Sequence, residues 1–411
     1  MVIRIKKHYD NSILMRIIAF SIIAIIIGHF MLSLSINEAI INYINIACWF
    51  ILLVYCLTMV LLKRAKVNSR YIVFYMIYFL FTLLGWIIGQ SYYPEIKNFE
   101  GDLFVNLASI FICLFVSMNV KVQKSSIESI YNIIIILGLF SVIYAMIVQS
   151  NLILNVIRGI DSARSSWNYY SFFMQRNRFS QFCLLCFEIT IYQFFNKKKN
   201  IFFISALLFA FNILITDSQT SIVCALFFVV VFSYMKSNNK IFLFAIAAVL
   251  FVALVPMVST DNLEMLLSRH VTETGANSAQ YRYLIWLRGF DQLSRSKTFL
   301  FGLGEDSNYV FLSKSHLFGS FHNLFVDALF EGGIFRLVFY VTILVLMWRK
   351  ANCFDDYLYR GWQKSVLMTY WLFGNFEAGS AFFKSNFFGY ITSVVFLFLI
   401  NNTDESVRIN E

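Results

Sequence analysis

Apolar runs recur along the chain at 14–35, 39–62, 71–93, 103–120, 130–153, 179–196, 201–215, 219–235, 241–258, 323–348, 365–383 and 386–401. Most are close to twenty residues, the length an α-helix needs to cross a bilayer. The pattern predicts an all-α polytopic membrane protein of about 12 transmembrane helices, with the pair across 201–235 the shortest candidates. Within such a frame the polar positions carry the information.

The junctions alternate in charge. Both termini and the junctions "KRAKVNSR", "KVQKSS", "NKKKN", "KSNNK" and "RKANCFDDYLYRGWQK" hold 20 Lys and Arg, against 12 in the opposite loops. Cytoplasmic loops carry such an excess, so both termini are expected in the cytoplasm. On this reading residues 1–411 form one membrane domain with two substantial outer loops, a smaller one at 154–178 and a large one at 259–322. The kind of base also changes. The outer set is Lys97, Lys297, Lys314 and Lys384 with eight arginines, whereas lysine dominates inside. Arginine offers a planar fork that grips phosphate through two hydrogen bonds, and it also anchors helices at an interface. Arg158, Arg164, Arg176 and Arg178 fall in the smaller outer loop; Arg269, Arg282, Arg288 and Arg295 fall in the large one.

Composition agrees with the pattern. Hydrophobic residues make up 59% of the chain and charged residues 14%, with a mean hydropathy of +0.69. The net charge of +10 lies where membrane topology requires it, so nucleic acid is not expected as a partner. The N-terminal "MVIRIKKHYDNSILMR" leads into an apolar run without a small-residue cleavage site, which predicts a retained helix rather than a signal peptide. Cys183 and Cys186 form a CxxC inside "FSQFCLLCFEITIY", a setting for core thiols rather than redox or metal chemistry. No disulfide framework, metal or other cofactor is expected.

In the large loop, "NSAQYRYLIWLRGFDQLSRS" has helical spacing, with Arg282 one turn from Trp286 and Arg288 seven from Arg295. An amphipathic helix along the membrane–water boundary is expected, with Trp, Tyr, Leu and Ile on one side and Arg on another. A glycine-containing turn follows in "FLFGLGEDSNYVF", then "SFHNLFVDALFEGG". There Asn323 or Ser320 can cap a new helix, Asp327 and Glu331 share a face, and Gly332 and Gly333 thin it. Two readings stand for this stretch: a cap, an interfacial histidine and a kink; or a His322 held at the outer rim, facing the arginines. Asp327 and Glu331 either orient His322 or pair with Arg336. Intramembrane charges are few: Glu188, Asp327, Glu331, Arg336 and Glu377.

The order of these parts resembles the O-antigen polymerase and ligase family of bacterial inner membranes. "QYRYLIWLRGFDQLSRSKTFLFGLG" and "HNLFVDALFEGG" place Arg282, Trp286, Gly302, Gly304, His322 and Asn323 in positions matching that family's loop and the opening of its next span. "RNRFSQFCLLCF" resembles the segment after the smaller outer loop, and "LITDSQTSIVCALFF" a Ser-Arg-Thr span. In that span Gln219 stands where an arginine is common, so one cationic contact is missing or supplied elsewhere. The resemblance covers roughly residues 150–350.

The resemblance implies a glycosyltransferase acting on polyprenyl-pyrophosphate-linked oligosaccharides at the periplasmic face, with the bilayer, a chain-length regulator and a flippase as partners. It implies His322 as base and Arg282 as the pyrophosphate grip. Arg288, Arg176, Arg178, Arg158, Arg164, Asn323 and Trp286 are implied as further substrate contacts. Polymerase is favoured by the Gln219 departure and by the heavy use of Ile, Phe, Asn and Tyr; ligase, with lipid A core as acceptor, is the alternative. A lipid-linked oligosaccharide flippase is the more distant rival, and it would put cations in a mid-membrane cavity rather than in outer loops.

Overall fold

A computed structural model describes residues 12–33, 38–62, 69–119, 124–160, 165–166, 168–173, 175–236, 278–314, 320–354, 356–377 and 393. Among these residues every regular element is helical and there is no strand. Helices α1 (Ser12–Ser33), α2 (Glu38–Leu61) and α3 (Ser69–Tyr92) fill the first three apolar runs. A 3-10 turn at Pro94–Phe99 leads into α4 (Glu100–Asn119), followed by α5 (Lys124–Val148). The expected run 130–153 is divided: the backbone leaves helical geometry at Gln149, and a short amphipathic α6 (Ser150–Arg158) follows. The Gln149 side chain explains the break. Its oxygen accepts the N–H groups of Tyr170 and Ser171, and its nitrogen donates to the Ser171 carbonyl. Tyr170 and Ser171 are thereby tied to the end of α5.

Beyond that loop come α7 (Arg176–Lys197), α8 (Asn200–Ile215) and α9 (Gln219–Lys236). Further along come α10 (Ser278–Ser296) and α11 (Ser307–Lys314), before α12 (Leu324–Asn352) and α13 (Tyr357–Gly374). Among the described residues, six helices are long and apolar enough to cross a membrane: α1, α2, α3, α5, α9 and α12. α8 is apolar but shorter. α7 and α13 bury polar side chains, among them Gln193, Gln363, Ser365 and Thr369, which lowers their hydropathy without exposing them. The expected spans at 241–258 and 386–401 lie outside the described residues.

The span expected at 365–383 is placed differently. Asp356 caps α13 by accepting from the Tyr359 N–H, which starts the helix eight residues earlier, at Tyr357. α13 then ends at Gly374, and the chain turns with Asn375 donating to the Leu372 carbonyl and Glu377 to the Phe373 carbonyl. Glu377 therefore lies beyond the helix end, not within a span.

α7 packs on α8, α9 on α13, and α12 on both α3 and α13. Large aromatic rings fill the interior, including Trp49, Tyr131, Phe179, Phe182 and Trp362. The opposite faces are apolar as well: Phe20 is 67% exposed, Leu61 80% and Ile147 71%. In water such faces would be untenable, whereas hydrocarbon covers them at no cost. The chain is a polytopic helical membrane protein.

Candidate functional site

A second, smaller apolar core sits apart from the main one and holds α10, α11 and the turn between them in place. Tyr93 and Ile96 meet Ile285 and Leu293 of α10, Leu303, Val310, Leu312, Phe321 and Phe330. One face of α10 is thus buried, with Gly289 against the Phe321 ring. The helix is not divided simply into an apolar and a basic side, as its spacing suggests. Tyr283, Leu284 and Leu287 are exposed together with Arg288 and Arg295, because only the opposite face of α10 packs against protein.

The turn after α10 is stitched into α12. Leu303 N–H donates to the Phe330 carbonyl at 2.8 Å, Gly304 N–H to the Glu331 carbonyl at 2.9 Å, and Ile334 N–H to the Phe299 carbonyl at 2.8 Å. This exchange requires α12 to open, and it does so at Gly333, with φ 68° and ψ −167°. A side chain there would be strained and would meet the backbone of Leu300; one at Gly302, also at positive φ, would meet the backbone of Glu331. Beneath the junction Arg336, 2% exposed, bridges Glu305 at 2.7 Å and Glu331 at 2.9 Å. Breaking a buried pair of this kind typically costs about 3–5 kcal/mol. Glu331 thus belongs to the clasp on Arg336.

Asn323 is the cap of α12, its side-chain oxygen accepting from Phe325 and Val326 N–H, while its amide donates to the Asn375 carbonyl at 3.2 Å. Asp327 accepts from the Asn308 amide and from Phe321 N–H, so it orients the backbone immediately before His322. His322 itself sits at φ 51°, in the left-handed region, with its N–H donating to the Ser320 hydroxyl. Non-glycine residues held there cost on the order of 1–3 kcal/mol and cluster at functional sites. Trp286 Nε1–H donates to the Phe321 carbonyl at 2.7 Å, which sets α10 against the same turn.

The side chains converge on Glu377. One carboxylate oxygen lies 3.4 Å from His322 Nδ1; the other lies 3.9 Å from the Arg282 guanidinium and accepts from the Asn177 amide at 3.1 Å. Arg176, adjacent to Asn177, interacts electrostatically with Glu377 and Asp217 and donates to the Thr216 carbonyl at 3.5 Å. Four segments distant in sequence therefore meet at one point: the start of α7, α10, the cap of α12 and the turn after α13. A carboxylate, two guanidiniums, an imidazole and an amide at one place suit anion recognition coupled to proton transfer.

Of the residues expected at the site, the structure brings together Arg282, His322, Asn323, Trp286 and Arg176. Arg178 is half-buried and interacts electrostatically with His29 of α1. Arg288 is exposed on a different face of α10 from Arg282, and Arg158 is exposed at the end of α6. Arg164 lies outside the described residues. Gln219 is exposed at the start of α9, three positions after the carbonyl that Arg176 reaches. Glu377 and Asn177 were not anticipated from the sequence as site residues. The available signal for Glu377 was an isolated carboxylate closing an apolar run.

No curated protein matches the chain. A family model described as O-antigen ligase matches residues 204–341, a stretch that contains Arg282, Trp286, His322 and Asn323 but not Arg176, Asn177 or Glu377. Over residues 204–341, about a third of its length, the chain is thus similar to the O-antigen ligase family.

Proposed function

We propose that this protein is an O-antigen polymerase of the bacterial inner membrane, joining polyprenyl-pyrophosphate-linked oligosaccharide units on the periplasmic side. Residues 1–411 act as one membrane domain with cytoplasmic termini, and the loops at 154–178 and 259–322 build the site from outside. The observation that carries this reading is the approach of Arg282 and His322 to one another through Glu377.

In the reaction, an acceptor hydroxyl attacks the anomeric carbon of the donor sugar. The new C–O bond forms as the bond to pyrophosphate breaks, and the bonding pair leaves with the lipid pyrophosphate. The hydroxyl proton passes to His322, a contribution of about 10²–10⁴-fold for a well-placed general base. Arg282 meets the charge that develops on the departing phosphate, with Arg176 as second cation, and the donor set calls for no metal. Arg178 and Asn323 serve the glycan side of the site, and Trp286 positions α10. Arg288 and Arg158, both exposed, attract phosphate to the outer face rather than touch the reacting atoms, and Arg164 is a further substrate contact. A chain-length regulator and a flippase of the same pathway complete the setting.

The ligase reading uses the same donor site and differs in the acceptor, lipid A core instead of a second lipid-linked unit. Deletion of the gene followed by electrophoresis of surface lipopolysaccharide separates them. Core bearing a single repeat is the expected result; bare core indicates the ligase, and an unchanged ladder overturns both.

A further inference from the structure

We infer that Glu377 is the positioning residue of this site, holding the His322 tautomer and seating Arg282 until a phosphate displaces it. The inference rests on the proposed function and extends it to a residue that lies outside the family match at 204–341. The geometry comes first. Glu377 follows the last turn of α13, fixed by backbone hydrogen bonds to Phe373, and the Asn323 amide donates to Asn375 two positions earlier. The carboxylate is thus mounted on the same cap that carries His322. Its side chain is only 14% exposed and is flanked by groups that donate.

Two consequences follow from where its oxygens lie. A carboxylate 3.4 Å from Nδ1 accepts a hydrogen bond from that nitrogen, which makes Nε2 the basic nitrogen of the neutral ring. The proton taken from the acceptor hydroxyl then goes to Nε2, and the imidazolium formed faces a negative charge across the ring. The second oxygen holds Arg282 at 3.9 Å, a loose contact beside the roughly 2.7–2.9 Å of a formed charge-assisted hydrogen bond. Pyrophosphate, with more charge and more acceptor oxygens, outcompetes it. Asn177 retains the carboxylate when Arg282 departs, so Glu377 stays on His322 during the transfer.

This separates two quantities, turnover and carrier binding. Glu377→Gln should lower kcat for joining lipid-linked repeat units by about 10–100-fold, the range for losing a group that orients a ring nitrogen. Binding of undecaprenyl pyrophosphate, which carries the lipid and phosphates without sugar, should be unchanged or tighter, because Arg282 no longer has a competitor. Glu377→Asp should recover part of kcat. In a His322→Gln background, Glu377→Gln should add little further loss, since it acts through the imidazole. A merely structural role would weaken binding and turnover together and would persist in that background; either result overturns the inference. So does a Glu377→Gln kcat within twofold of wild type. If Glu377→Gln is inert while His322→Gln is inactive, only the inference fails; if His322→Gln itself turns over normally, the proposed function fails with it.

Discussion

The indole N–H of Trp286 donates to the carbonyl of Phe321, 35 positions further along the chain, at 2.7 Å. Phe321 immediately precedes His322, and Trp286 stands one helical turn from Arg282, so this bond, with the packing of Gly289 on the Phe321 ring, helps set the distance between the two. Trp286→Phe keeps the ring and removes the donor. It should cost about 1–2 kcal/mol of stability, since the Phe321 carbonyl loses its partner. Transfer should fall by more than that loss of folded protein accounts for. Thermal unfolding in detergent alongside a transfer assay checks this; equal losses in both would show the bond to be structural only.

Arg282→Lys should damage transfer nearly as much as Arg282→Ala. An ammonium is a point charge and cannot reproduce a two-pronged grip on phosphate. The comparison is made at matched membrane levels of the two variants. Normal chain formation with lysine would reduce Arg282 to an interfacial anchor.

His322 and Asn323 separate cleanly, because the cap of α12 is Asn323 and not the histidine. His322→Gln should leave folding intact and lower transfer by about 10²–10⁴-fold, a loss of about 3–5 kcal/mol in the transition state. Asn323→Ala should instead cost roughly 0.5–2 kcal/mol of stability through the lost cap. It should also lower transfer by loosening the turn at 375–377, to which its amide donates. Near-normal polymerisation by purified His322→Gln protein would return the histidine to a structural role.

Topology can be read with one native reporter. Cys353 is exposed, and the other described free cysteines are buried. An impermeant thiol reagent applied from outside should miss Cys353 and should label Ser313→Cys on α11, an exposed position in the large outer loop. Labelling of Cys353 in intact cells would invert the orientation and remove the periplasmic site.

Much of this was legible from the chain alone. Hydropathy located the helices wherever a run was both long and apolar, and it misplaced the start of α13 because Asp356 starts that helix earlier than its hydropathy does. Motif spacing brought Arg282, Trp286, His322 and Asn323 to one place. It also suggested Arg288, which helical geometry turns away, since six residues advance the helix by far more than one turn. Glu377 was hidden for a different reason. Its contacts to Asn177 and His322 span 200 and 55 positions and are created by packing, which no local pattern encodes. The clasp of Arg336 was half visible: Glu331 is close in sequence, and Glu305 arrives only through the folding of the loop.

The opening of α12 at Gly333 has a bearing on depth. From Ile334 to Asn352 the helix runs 19 residues, about 28 Å at 1.5 Å each, which alone matches a hydrocarbon slab of about 30 Å. On this reading the segment before the kink, with its cap and His322, rises clear of the acyl chains into the headgroup layer. Arg336, just inside that boundary, marks the waterline. On the function proposed above, a polyprenyl carrier anchored by its tail would present its phosphates at this same level, so that donor and site would meet without the pyrophosphate ever being drawn into oil.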